Sequence, residues 1–255
     1  MENNNKHFVL TDETKRSRQG AILHRIRCTR SVQDVAVGAT GGWVEKYENL
    51  CGNAWVYGDA EIYGDAQVSG NAKIYGDAWV YGDAQVYGNA QVIGDAQVYG
   101  DAKVYGNAQV HGDAEIYGDA QVCGNAKIYG DAQVSGNAQV IGDAQVYGDA
   151  QVYGDAEVFC KAEICGNAQV HGDAEISGDA KVCGSNDYCC FQSFGREGRT
   201  TTAFKESSGA AKVRCGCFLG TVDEFEQRVE ETHGESNYGL EYMAIINVIR
   251  VRFKL

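Results

Sequence analysis

The residues best equipped for chemistry lie toward the C-terminal end of this 255-residue chain. Arg196, Arg199, Lys205, Lys212 and Arg214 fall near Tyr188 and Phe191, and Thr200-Thr201-Thr202 adds three hydroxyls. Guanidinium and ammonium groups hold phosphate through charge-assisted hydrogen bonds, so cations mixed with aromatic rings suit a nucleotide-like small molecule. Strand alternation at Lys212-Val213-Arg214 puts both cations on one face. Tyr188, Phe191, Arg196, Arg199, Thr201, Lys205, Lys212 and Arg214 are the expected ligand-binding set. The plainer account of each is a solvated surface residue of a small domain.

Cysteine is the second candidate chemistry. Cys189-Cys190 and Cys215-x-Cys217, with Cys183, could surround zinc, but the paired Cys-x-x-Cys spacing of structural zinc sites is missing. Residues 1–10 contain no charged-then-apolar leader, and nowhere do 18 apolar residues run together, so neither a signal peptide nor a membrane span is read. A cytoplasmic chain follows, or one in the host cytoplasm if phage-encoded, with its ten Cys as free thiols in a reducing compartment. No catalytic residue, metal or cofactor is expected.

All of these groups must be positioned by a repeat. From Gly52 to Cys183 one six-residue unit recurs 22 times without insertion or deletion: Gly, Asn or Asp, Ala, a polar residue or Trp, Val or Ile, and a sixth residue that is most often Tyr. Cys160 replaces the Gly once. Such strictness marks a solenoid, in which a unit too small to bury its own apolar face buries it against its neighbours. Ala-x-Val-Tyr alternates like a short strand with Ala and Val inward, and the Gly-Asn/Asp pair supplies the corner. Asn53, Asn71, Asn89, Asn107 and Asn125 recur every 18 residues, which predicts three hexads per coil and a three-sided parallel β-helix of about seven coils, roughly 35 Å long at about 4.8 Å per coil. Asn137 and Asn167 then break the spacing, as if hexads were once lost or gained.

Charge follows the same division. The repeat carries 5 basic and 19 acidic residues, so its −14 accounts for the chain's net −13. Asp59, Asp77, Asp95, Asp113, Asp131 and Asp149 share one corner; Asp65, Asp83, Asp101, Asp119, Asp155 and Asp173 share another. Turn geometry and solubility explain them, but the density is roughly one charge per 2.5 Å, near the one per about 1.7 Å of duplex DNA, which also permits mimicry of nucleic acid. Tyr63, Tyr81, Tyr99 and Tyr117 should stack at strand spacing beside Gln97, Gln133, Gln151 and Gln169, either for stability or as a flat surface for a partner.

The organisation predicted is an N-terminal β-rich cap over residues 1–51, the β-helix over 52–184 and a C-terminal α+β module over 185–255. In the cap, Ile22 to Cys28 alternates as a strand with Arg25 and Arg27 opposite Ile26 and Cys28, Gly38 to Gly42 marks a loop, and Trp43-Val44 and Leu50 begin an apolar plug. In the module, Asn186 to Phe194, Arg199 to Phe204 and Ala211 to Phe218 read as strands. Thr221-x-x-Glu224 is a capping box opening a helix that His233-Gly234 ends, and Tyr238 to Phe253 is a second helix.

Val/Ile-x-Gly-Asn/Asp-Ala-x resembles the hexapeptide repeat of left-handed β-helix proteins, and the resemblance implies that handedness. Leu23-His24-Arg25-Ile26-Arg27 with Gly41-Gly42-Trp43-Val44-Glu45, and Gly216 to Phe225 with Glu231-Thr232-His233-Gly234, are similar to the ends of phage and gut-bacterial proteins labelled polymer-forming. The resemblance implies a phage setting and a homo-oligomer such as a trimer. Relatives of this architecture also include acyltransferases, which use a His base and a loop extruded from the coil. Here His111 and His171 take the outward sixth position and no loop interrupts the repeat. The expected function is therefore a non-catalytic binding protein, phage-encoded and acting in counter-defence by sequestering a nucleotide-derived immune signal, without membrane or direct nucleic-acid contact. An acidic DNA mimic or protein-interaction scaffold that inhibits a host protein, and a hexapeptide acyltransferase, are the alternatives.

Overall fold

A computed structural model describes residues 6–255; the first five residues of the expected cap lie outside the described part. The repeat forms 22 short strands, one per hexad, from β4 (Trp55–Val56) to β25 (Lys181–Val182). They stack into three parallel sheets in which each residue pairs with the one 18 positions on, as Gln91 does with Lys73 and Gln109. From Ala54 to Val182 every inward Ala and Val or Ile is at most 1 % exposed. The prism interior is thus a column of alternating small and branched side chains, with the polar and Tyr positions outside.

The corners explain the glycine. The 21 corner glycines from Gly52 to Gly178 have φ between +61° and +82°, the left-handed region that β-carbons oppose. Cys160, the one exception, takes the same conformation at φ 63°. The Asn column makes a ladder in which each Nδ2 donates to the next Oδ1, from Asn53 to Asn71 at 3.3 Å through Asn107 to Asn125 at 3.0 Å. The change of Asn spacing near the middle leaves the stacking undisturbed, as a loss or gain of whole hexads would. The 18-residue register runs unbroken to the Glu163–Lys181 pairing. Asn125 donates to Asp143 at 2.9 Å, and the ladder stops because a carboxylate has no proton to pass on.

Each end of the prism is covered. At the N-terminal end β1 (Phe8–Arg16), β2 (Ile22–Cys28) and β3 (Thr40–Val44) extend one face of the prism as an antiparallel flap. Phe8, Ile26, Cys28, Val32 and Val35 join the core, and Val44 and Leu50 complete a first coil against Ile62 and Val68. Gly38 to Gly42 is only half a loop, because Thr40 to Val44 is strand. A β-carbon on Gly41 would sit 2.5 Å from Ile26 Cγ1, and one on Gly42 2.5 Å from Val56 Cγ1, so these glycines permit close packing, not a bend.

At the other end a four-stranded antiparallel sheet follows: β26 (Tyr188–Phe194), β27 (Arg199–Lys205), β28 (Ala211–Cys215) and β29 (Phe218–Thr221). The run expected from Ala211 to Phe218 is two strands, because Gly216 takes φ 56° and turns the chain back. Thr221 Oγ1 accepts from Glu224 N and the Glu224 carboxylate accepts from Thr221 N, the reciprocal cap that opens α1 (Val222–His233), and α2 (Asn237–Phe253) follows. Tyr188 and Phe204 belong to the prism core, whereas Ala203, Val213 and Cys215 pack under α1 and α2. One sheet therefore closes the prism with one face and carries the helices on the other.

Candidate functional site

The position of each expected ligand-binding residue follows from this two-faced sheet. On the prism side, Tyr188 is buried and its hydroxyl donates to Gln169 O at 2.6 Å. Arg214 is hydrogen-bonded and ion-paired to Glu175 and lies over the Phe159 ring at 4.8 Å. Lys212 shares that side by strand alternation. Lys205, at the strand end, pairs with Asp187 at 2.6 Å; burial is the largest single influence on the Asp187 carboxyl and raises it, but Lys205 and the backbone hydrogen bonds at Cys183 and Gly184 together hold it below its ordinary range. On the helix side, Phe191 packs against the second core and Thr201 is fully buried, its hydroxyl donating to Cys215 Sγ at 3.3 Å. The sheet separates these two groups, and Arg214 docks the module onto the prism through Glu175.

The N-terminal cap does the same. Lys15 meets Glu61 at 2.9 Å, Arg25 meets Asp59 at 3.0 Å, Lys46 meets Asp65 at 2.6 Å, and Arg18 lies 3.8 Å over Trp79. The cap's basic side chains thus meet acidic side chains of the first coils. The more exposed of these pairs, such as Lys46–Asp65, guide orientation more than they add stability.

What the structure does bring together is a helix-side groove. A cavity of about 210 Å³, lined in part by Arg199, Cys215, Phe218, Phe225, Arg228, His233 and Tyr242, adjoins a wider groove of about 540 Å³ bordered by Arg196, Arg199, Thr232, His233, Tyr238 and Tyr242. The His233 and Tyr242 rings stack with centroids 5.5 Å apart, Phe225 meets Tyr242 edge-on at 5.8 Å, and Phe218 lies 5.2 Å from Phe225. Arg199 is tethered by Glu197 at 2.6 Å, which keeps that carboxyl below its ordinary range, and the Gly195 N–H donates to Glu241. Burial raises the Tyr242 phenol to about 12, so it is a neutral donor here. Arg196 and Arg199 were legible as candidates. Arg228, Thr232 and His233 were not, although residues 228 and 232 lie four apart on a helix already delimited by its caps and so share a face.

The cysteines are also distributed by the sheet. Cys189 packs toward the helices and Cys190 toward the prism, and burial raises both thiols, Cys189 to about 11. Among the described residues no group of three His, Cys, Asp or Glu side chains is arranged to hold a metal ion. Cys165 and Cys183, successive in one outward column, are joined as a disulfide with Cα atoms 4.3 Å apart, so the expectation of free thiols fails for this pair. The cause is the 18-residue period, which stacks their side chains on adjacent strands. The other eight cysteines are free.

The outward columns behave as aromatic ladders. Tyr63, Tyr81, Tyr99 and Tyr117 stack with centroids 4.9 to 5.1 Å apart. His111 stacks on Tyr129 at 5.1 Å and His171 on Tyr153 at 5.3 Å. Burial lowers the His111 pKa, with Lys127 adding to the effect. Each coil is a bare 18 residues, so neither His has an extruded loop beside it.

Four stretches of the repeat, residues 66–82, 96–112, 120–136 and 132–148, match the family model described as YdcK Beta solenoid repeat. Together with the three parallel sheets, this decides the class. The chain is a hexapeptide-type β-helix repeat protein. A comparison with curated proteins finds no match. The matched stretches lie wholly within the β-helix repeat, so the C-terminal groove has to be understood from its own residues. Among the described residues no helix is long and apolar enough to cross a membrane.

Proposed function

We propose that this β-helix protein is a non-catalytic binding protein. Its prism is a scaffold, and its C-terminal module takes an anionic, ring-bearing small molecule of the nucleotide class. The observation that supports this is the convergence of Arg196, Arg199, Arg228 and His233 with Tyr238 and Tyr242 around one groove on the helix side of the sheet. Guanidinium groups bind phosphate oxygens through paired N–H donors, and aromatic side chains in the wall offer faces on which a ring can stack. Of the expected ligand residues, Arg196 and Arg199 carry the reading. Capture without turnover, by a phage-encoded protein in the host cytoplasm that removes a nucleotide-derived immune signal, is the role implied by the resemblance of the chain's ends.

Calorimetric titration of the full chain with cyclic nucleotides and ADP-ribose derivatives tests this. Binding that falls at least tenfold in Arg199→Gln and in Arg228→Gln, and stays unchanged in Lys212→Gln, supports the groove. No heat from any of these ligands sinks the proposal. The straight Asp columns favour a second reading, inhibition of a host nucleic-acid-binding protein; Asp95→Asn with Asp113→Asn would then weaken a salt-sensitive complex.

A further inference from the structure

Helix α2 is apolar on two opposite sides, and only one of them is covered. Tyr242, Ile245, Ile246 and Ile249 face the sheet and are at most 5 % exposed. Leu240, Ala244, Val248 and Val251, spaced four, four and three residues apart, form a stripe on the far side, with Leu240 60 %, Val248 50 % and Val251 81 % exposed. At about 100° per residue these four fall within one narrow sector, centred opposite the buried set. A helix that is apolar all round is ordinarily buried all round. Single exposed apolar residues are ordinary, but an aligned stripe on one helix marks a contact surface.

We infer that this stripe is the interface with a second copy of the same chain, the two α2 helices packing antiparallel across a two-fold axis. Charge complementarity selects this occupant and this direction. Glu241 and Arg252 both flank the stripe on the same side, near its two ends. A two-fold axis perpendicular to both helices keeps that side common to both copies and reverses the helix direction, so Glu241 of each copy comes opposite Arg252 of the other. A parallel pairing would bring this flank against the opposite one and lose both contacts. Within one copy Glu241 accepts from Gly195 N at 3.0 Å and Arg252 donates to Ser185 O at 3.2 Å, leaving a second carboxylate oxygen and further guanidinium N–H groups for the partner. Ala244 near the centre lets the helix axes approach closely, with Leu240 of one copy beside Val251 of the other. An isologous contact of this kind closes at two copies.

Light scattering on the full chain over a range of concentrations tests this, with circular dichroism as the check on folding. The wild type is expected at twice its 27.5 kDa mass, and Val251→Glu, a change at a mostly exposed position, at the monomer mass. Glu241→Arg and Arg252→Glu should each raise the dimer dissociation constant at least tenfold, and combining them should restore it. A monomeric wild type, a Val251→Glu variant that keeps its oligomer, or a trimer indifferent to that change overturns the inference. Failure of the double charge reversal to restore pairing overturns the antiparallel arrangement.

Discussion

The closeness of successive coils can be measured with two glycines of one corner column. Gly124 and Gly142 are consecutive in that column, with φ 74° and 78°, so an alanine at either position meets nearly the same conformational opposition. That opposition is about 1–2 kcal/mol, offset by about 0.4–1 kcal/mol because alanine stiffens the unfolded chain. The difference lies one coil further on. A β-carbon on Gly124 would lie 2.8 Å from Gly142 N, a backbone atom that cannot yield without opening the sheet, whereas one on Gly142 would lie 3.3 Å from Cys160 O. Overpacking of the first kind adds about 1–3 kcal/mol. Gly142→Ala should therefore cost about 1 kcal/mol and Gly124→Ala about 2–4 kcal/mol. In a chain of this size each kcal/mol is worth roughly 2–4 °C in melting temperature. Melting followed by circular dichroism in the far ultraviolet reads the difference. Two variants that melt within a degree of each other would refute the idea that coil-to-coil contact, and not only φ, demands glycine.

Two further outcomes follow from the buried tyrosines and the last coil. Burial raises Tyr63 and Tyr188 to about 12 from an ordinary value near 10, so the fold holds their protons more tightly than the unfolded chain does. Their contribution is complete below about pH 10 and is lost as pH rises from about 10 to about 12; an alkaline titration of tyrosinate absorbance should show this late fraction, and stability that stays flat across that window would contradict it. Thr202 Oγ1 accepts from Glu175 N at 3.1 Å, satisfying an edge donor of the last coil. Thr202→Val should cost about 1–3 kcal/mol and speed hydrogen exchange at the Glu175 amide, and unchanged exchange there would exclude the role.

The prism was legible in the sequence because period, inward alternation and corner chemistry repeat 22 times and are purely local. Asn53 to Asn125 even disclosed the coil length. At Asn137 the Asn moves to the corner column of Asp65 to Asp119, where it donates to Asp155 at 2.8 Å, and the stacking is undisturbed because either residue serves a corner. The flanks were less legible because their partners are distant in sequence. Gly41 and Gly42 read as a loop until Ile26 and Val56 are seen against them. Arg214 read as a ligand group because Glu175, its partner, is 39 residues away. The groove combined Arg199 from a strand with Arg228 and His233 from a helix, and no linear spacing announces a meeting of that kind.

The 18-residue register makes the number of hexads an angular setting as well as a length. Twenty-two hexads are seven full coils and one more. Removing three would shorten the rod by about 4.8 Å and leave both ends facing as before. Removing one would bring the C-terminal module onto a different side of the prism, roughly a third of a turn around the axis, with the groove and the α2 stripe carried along. Insertions and deletions in units of three hexads adjust reach, and any other number re-aims one end of the molecule relative to the other.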